Sequence, residues 1–129
     1  MILYGSVARG DAGPDSDIDL LIVADDGFPD AGHAVVEAKL ELERHPDGTL
    51  PLLSCLTLTR TQASQNRWLY LDMTEDAVFL FDRDDFFRKR LGMVKNSMEK
   101  LGSRKETMPD GSWYWNLKPD LRPGEVFEL

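Results

Sequence analysis

The sequence predicts a mixed α/β domain: a short mixed sheet with helices packed mainly on one face. Three observations lead there. Short apolar, β-rich runs at residues 2–4, 18–23 and 50–58 alternate with helical segments. A length of 129 residues fits one domain. A hydrophobic content of 42% supports a packed core rather than disorder.

The elements follow in order. Residues 2–4 read as a strand, and Gly5 directly after it permits a tight turn. Residues 18–23 are apolar and β-branched, as in a strand buried on both faces. Asp25, Asp26, Gly27 and Pro29 break that pattern. Asp30 is placed to cap a helix over 31–44, with Val36 and Leu40 on one face and Pro46 as its stop. His45 at its end suits the helix dipole, and His33 lies near its start. Pro46, Asp47 and Gly48 make a turn before a third strand over 50–58. Thr59 caps a short helix over 60–68, and residues 77–81 form a fourth strand. Asp82, Asp84 and Asp85 favour the start of a long helix. Its stripe of Phe87, Leu91, Val94, Met98 and Leu101 is core, and Gly102 ends it. Beyond a turn at Pro109-Asp110-Gly111, Trp113 and Trp115 are expected to cover an apolar surface of the sheet, with Lys118 solvated.

The formal net charge is −8 and unevenly spread. Residues 1–64 hold eleven acids and four bases, and residues 65–129 twelve and eleven. An acidic chain repels a phosphate backbone, so general nucleic-acid binding is not expected. Eight bases between Arg83 and Lys105 read as a solvated helix face. No run of ~18 apolar residues predicts a membrane span, and no basic leader precedes an apolar segment. The single Cys55 cannot form an internal disulfide, and with only two histidines beside it a Cys/His zinc site is not expected. A reducing cytoplasm is the expected location.

Asp17 and Asp19 stand two apart, so their side chains project from one face, with Ile18, Leu20 and Ile22 turned into the core. Two carboxylates so close repel each other unless a cation lies between them. Oxygen ligands beside a phosphate make Mg²⁺ the natural ion. Ser6 adds a hydroxyl after Gly5, and the N–H groups of Ser6 and Val7 would open a helix toward an anion. Arg9 has two readings: a phosphate contact, or a pair with Asp11 or Asp15.

The stretch Tyr4-Gly5-Ser6-Val7-Ala8-Arg9-Gly10, followed by Ser16-Asp17-Ile18-Asp19-Leu20-Leu21-Ile22-Val23, resembles the signature of the nucleotidyltransferase superfamily with the DNA polymerase β-like fold. The small size is similar to its minimal nucleotidyltransferase (MNT) group. The resemblance implies that fold over 1–129, with 103–129 as a family-specific extension. It implies transfer of a nucleoside monophosphate from ATP (as AMP) or another NTP to an acceptor hydroxyl, with release of pyrophosphate. Gly5 and Ser6 would hold the β- and γ-phosphates, and Arg9 and Ser16 complete the nucleotide-binding set. Asp17 and Asp19 would be the catalytic carboxylates, binding two Mg²⁺ ions.

The family usually adds a third carboxylate on the next strand, where this chain has no acid. Ser54 or Leu56 falls near the position, and Asp72, Glu75, Asp76, Glu37 and Glu41 stand as substitutes. The resemblance also implies a helical partner of the HEPN type, as in some toxin–antitoxin pairs, with a partner tyrosine as acceptor. An aminoglycoside acceptor and a degenerate site that works by docking are the alternatives. Such domains commonly begin with a helix before the first strand. The first strand is therefore expected to lie bare here, for a homo-oligomer or partner to cover.

Overall fold

The computed structural model describes residues 1–28, 30–44 and 51–129. Strand β1 (Ile2–Tyr4) runs straight into helix α1 (Gly5–Arg9), and Gly10 closes that helix in the left-handed conformation, φ 82°. Strand β2 (Ile18–Ala24), helix α2 (Ala31–Glu43) and strand β3 (Leu53–Thr59) form a parallel crossover. Helices α3 (Arg60–Ala63) and α4 (Leu69–Asp76) lead to strand β4 (Val78–Phe79). A turn of 3₁₀ helix precedes helix α5 (Phe86–Leu101), and strands β5 (Arg104–Thr107) and β6 (Trp113–Asn116) form a separate hairpin.

The main sheet has the order β3-β2-β1-β4, parallel between β2 and β3 and antiparallel elsewhere. β1 is therefore interior, flanked on both sides, and the expectation of a bare first strand is corrected. Its edges are short β4 and β3.

The core lies on one face. Ile2 is 1% exposed and Leu21 0%, and with Leu58 they pack on Ala63, Tyr70, Leu71, Met73, Phe87, Leu91, Val94 and Met98 from α3, α4 and α5. Tyr70 and Phe87 meet edge to face at 5.2 Å, and the Tyr70 hydroxyl donates to the Ala63 carbonyl at 3.0 Å. The α5 stripe is buried as the spacing predicts. Asp82 caps it, accepting the Phe87 and Arg88 N–H groups at 2.9 Å each.

Leu21 shares its face with Asp19, so the deepest burial lies on the carboxylate side of β2. Ile18, Leu20 and Ile22 are only half-buried, against the expectation that they enter the core. The reason is α2. It presents Ala31, Ala34 and Ala38 inward, side chains too short to seal the sheet, and leaves a cleft of about 320 Å³ over Leu20, Ile22, Leu53 and Cys55. Val36 and Leu40 face solvent, 52% and 46% exposed, and Asp30 makes no capping hydrogen bond.

Other boundaries shift. The helix expected over 60–68 ends at Ala63, although Thr59 caps it with Gln62 in a reciprocal pair. α4 and the β5–β6 hairpin had no counterpart in the sequence reading. Readings that rest on Pro29, His45, Pro46, Asp47, Gly48 and Leu50 lie outside the described residues.

Candidate functional site

The two halves of the motif meet where β1 ends and β2 begins. Tyr4 is the cross-strand partner of Asp19, and Asp19 that of Ser54. These three residues make one row across β1, β2 and β3. Gly5 turns the chain over that row with φ 74°. The Asp19 carboxylate lies against it: a Cβ on Gly5 would stand 2.4 Å from Asp19 Oδ2. Glycine is thus required by space as well as by backbone conformation. Ser6 follows at once, and Asp17 stands exposed at the mouth, one residue ahead of the strand. The structure brings Gly5, Ser6, Asp17 and Asp19 to one end of the sheet.

Tyr4 was not singled out in the sequence, although it directly precedes Gly5. Burial, and then the charge of Asp19, push its phenol above the ordinary value, which leaves a neutral hydroxyl-bearing ring beside the carboxylate.

Ser16 and Arg9 are engaged elsewhere. The Ser16 hydroxyl accepts the Gly13 N–H at 2.8 Å, shaping the loop into β2. Arg9 Nε donates to Asp11 at 3.3 Å, as one reading had it, and its Nη1 donates to Asp76 at 3.1 Å. Asp15 is not its partner.

The place beside Asp19 on β3 belongs to Ser54, because Leu56 pairs with Leu21 in the core. None of the substitute acids takes over. Asp72 Oδ1 accepts the indole N–H of Trp113 at 3.0 Å and of Trp115 at 2.8 Å. Glu75 pairs with Lys105 at 2.7 Å, and Asp76 with Arg9. Glu37 pairs with His33 on α2, across the sheet from Asp19, and Glu41 is exposed on the same helix. Among the described residues no cluster of three or more His, Cys, Asp or Glu side chains could hold a metal ion. The site therefore offers two carboxylates and the Ser54 hydroxyl.

Trp115 packs against the buried core, and both indole N–H groups fasten the β5–β6 hairpin to α4 through Asp72. Lys118 is not solvated: it pairs with Asp120 and Glu125. Asp72→Ala strands two half-buried indole N–H groups, and a loss of about 2–4 kcal/mol is expected in denaturant titration.

Residues 1–78 match the family model of the nucleotidyltransferase domain. The match spans more than half of the chain, and the protein belongs to that family. The short mixed sheet with helices mainly on one face is the mixed α/β class that the sequence predicts. No curated protein matches the chain. A solved structure that does match is described as a toxin–antitoxin with AMP-PNP. It is 19% identical, with a TM-score of 0.45, covering 78% of this chain and 77% of its own. Among the described residues no helix is long and apolar enough to cross a membrane.

Proposed function

We propose that this chain is a Mg²⁺-dependent nucleotidyltransferase that moves AMP from ATP to a hydroxyl on a partner protein. The observation that carries the reading is the Asp19 carboxylate seated against Gly5, immediately before Ser6, with Asp17 one residue ahead of the same strand. Phosphate-binding backbone and metal-binding carboxylates are needed within one small space, and this turn supplies both.

The residues fit the metal. Asp17 and Asp19 supply hard oxygen donors, and Gly5, lacking a Cβ, lets the Asp19 carboxylate lie against the turn. Bound Mg²⁺ would supply neutralisation of the triphosphate and polarisation of the α-phosphorus. Gly5 and Ser6 would hold the phosphates. In the transfer the acceptor oxygen forms a bond to the α-phosphorus, the bond to the pyrophosphate oxygen breaks, and the acceptor proton leaves. Ser54 cannot take that proton as a carboxylate would, so it passes to water or to a group on the partner. The two ions of the family mechanism would share two carboxylates here. A helical HEPN-type partner bearing the acceptor tyrosine is the further part of the reading, and rests on the resemblance.

Ser54 favours one second reading: MgATP is bound without turnover, and the chain neutralises its partner by docking. Calorimetry tests the common ground. ATP binding is expected with Mg²⁺ and is lost in EDTA and in the Asp17→Asn/Asp19→Asn double variant. Binding indifferent to metal and to both substitutions would sink both readings. Labelled-AMP transfer to the partner then separates transfer from docking.

A further inference from the structure

We infer that Arg9 is a positioning residue: it pins the end of α1, and with it the Gly5–Ser6 turn, to α4 and to the β5–β6 hairpin instead of touching the nucleotide. The functional consequence rests on the nucleotide reading above, whereas the anchor itself rests on geometry alone.

Arg9 is the last residue of α1. Its guanidinium bonds Asp76 on α4 and Asp11 beyond the helix, and lies 4.9 Å from the centre of the Trp113 ring. Lys105 stands over the same ring at 4.6 Å and pairs with Glu75. Both indoles of the hairpin end on Asp72. Asp72, Glu75 and Asp76 occupy i, i+3 and i+4 of α4, so one helix face gathers hairpin and arginine together. The Asp76 side chain is only 6% exposed, and its Oδ1 has no hydrogen-bond partner among the described residues. Water competes poorly at such a carboxylate, which ties its cation more firmly than a surface pair does. An arginine held this way is not free to follow a phosphate. Trp113 and Lys105 lie beyond the residues that match the family. Arg9, Asp11 and Asp76 lie within them, so the anchor joins the matched stretch to the hairpin that follows it.

Amide hydrogen exchange on the free protein is the first test. In Asp76→Asn and in Trp113→Leu, the amides of Gly10 and Asp11, which donate to Ser6 O, should exchange about tenfold faster, while β2 and β3 keep their protection. Unchanged exchange at Gly10 and Asp11 overturns the anchor, whatever the protein binds. MgATP calorimetry is the second. Arg9→Gln and Asp76→Asn should each weaken binding about tenfold, with the double variant no weaker than either. Losses that multiply, or tighter binding in Asp76→Asn, would instead show a guanidinium that contacts phosphate. Wild-type protein that binds no nucleotide sinks the nucleotide reading, and the exchange result still decides the anchor.

The pH profile supplies a third readout. Burial holds the Asp76 carboxyl above its ordinary value, against the pull of Arg9 and Lys105 and with that of Asp72. As pH falls through that raised value, Arg9 loses its charged partner, and wild-type affinity should drop toward that of Asp76→Asn. The sign for stability is opposite: a carboxyl raised in the folded state favours folding more as it protonates. Affinity and the stability difference from Asp76→Asn should therefore diverge on acidification. A parallel fall in both overturns the anchor in favour of plain acid unfolding.

Discussion

Gly5→Ala is expected to abolish MgATP binding and to lower stability by about 2–4 kcal/mol. Two costs add. A left-handed φ of 74° strains any residue with a Cβ, by about 1–2 kcal/mol. The new methyl group would also stand 2.4 Å from Asp19 Oδ2, so the carboxylate must swing away from the turn it serves. Gly10 is the control. Its φ is 82°, yet a Cβ there meets nothing within 4 Å. Gly10→Ala should lose the backbone part of the stability and keep the binding. Denaturant titration and calorimetry on the two variants separate strain from contact. Equal binding losses at both positions would mean that the approach of Asp19 to Gly5 has no functional weight.

Ser54→Asp is expected to act in opposite directions with and without metal. Ser54 is exposed and stands directly beside Asp19 on the parallel neighbour, so a carboxylate there fits without steric cost. Without metal, like charges in adjacent positions repel, and the melting temperature should fall by roughly 4 °C, for about 1 kcal/mol. Mg²⁺ should recover that loss, because a third oxygen donor turns repulsion into coordination. If the chain transfers AMP, the added carboxylate should raise pyrophosphate release on the order of 10²-fold, since it can take the acceptor proton. Melting that Mg²⁺ does not restore would place Ser54 outside the metal site.

The local geometry of the Gly-Ser and Asp-x-Asp motif was more legible than the scaffolding around it. β1, β2, the Gly5 turn and the Asp-x-Asp pair could be read because their meaning is local: a glycine after a strand, two acids two apart. The α5 stripe was legible for the same reason, since five apolar residues at spacings of four and three repeat along the helix. α4 escaped because its buried residues, Tyr70, Leu71 and Met73, crowd together, and three of the other five residues are acids. β5 escaped because Arg104, Lys105, Glu106 and Thr107 show no apolar alternation. Its place is fixed by tertiary partners, chiefly two indoles ending on Asp72, and no spacing announces those. α2 misled in the other direction. Its Val36 and Leu40 look like a core face, but the helix turns its alanines to the sheet instead. That the third strand carries no acid was plain from the sequence, whereas the choice of Ser54 over Leu56 needed the strand register.

The row from Tyr4 to Asp19 has a consequence for how the protein comes to be folded. Its two strands are joined by the short helix α1 and one loop, so Gly5, Ser6, Asp17 and Asp19 can be assembled by local closure at small entropic cost. The fastening of the hairpin bridges 41 residues from Asp72 to Trp113 and 43 to Trp115. Contacts of that range form late and are among the first to open under stress. The chemical end of the molecule should therefore be established early in folding, and what completes last is the brace behind it.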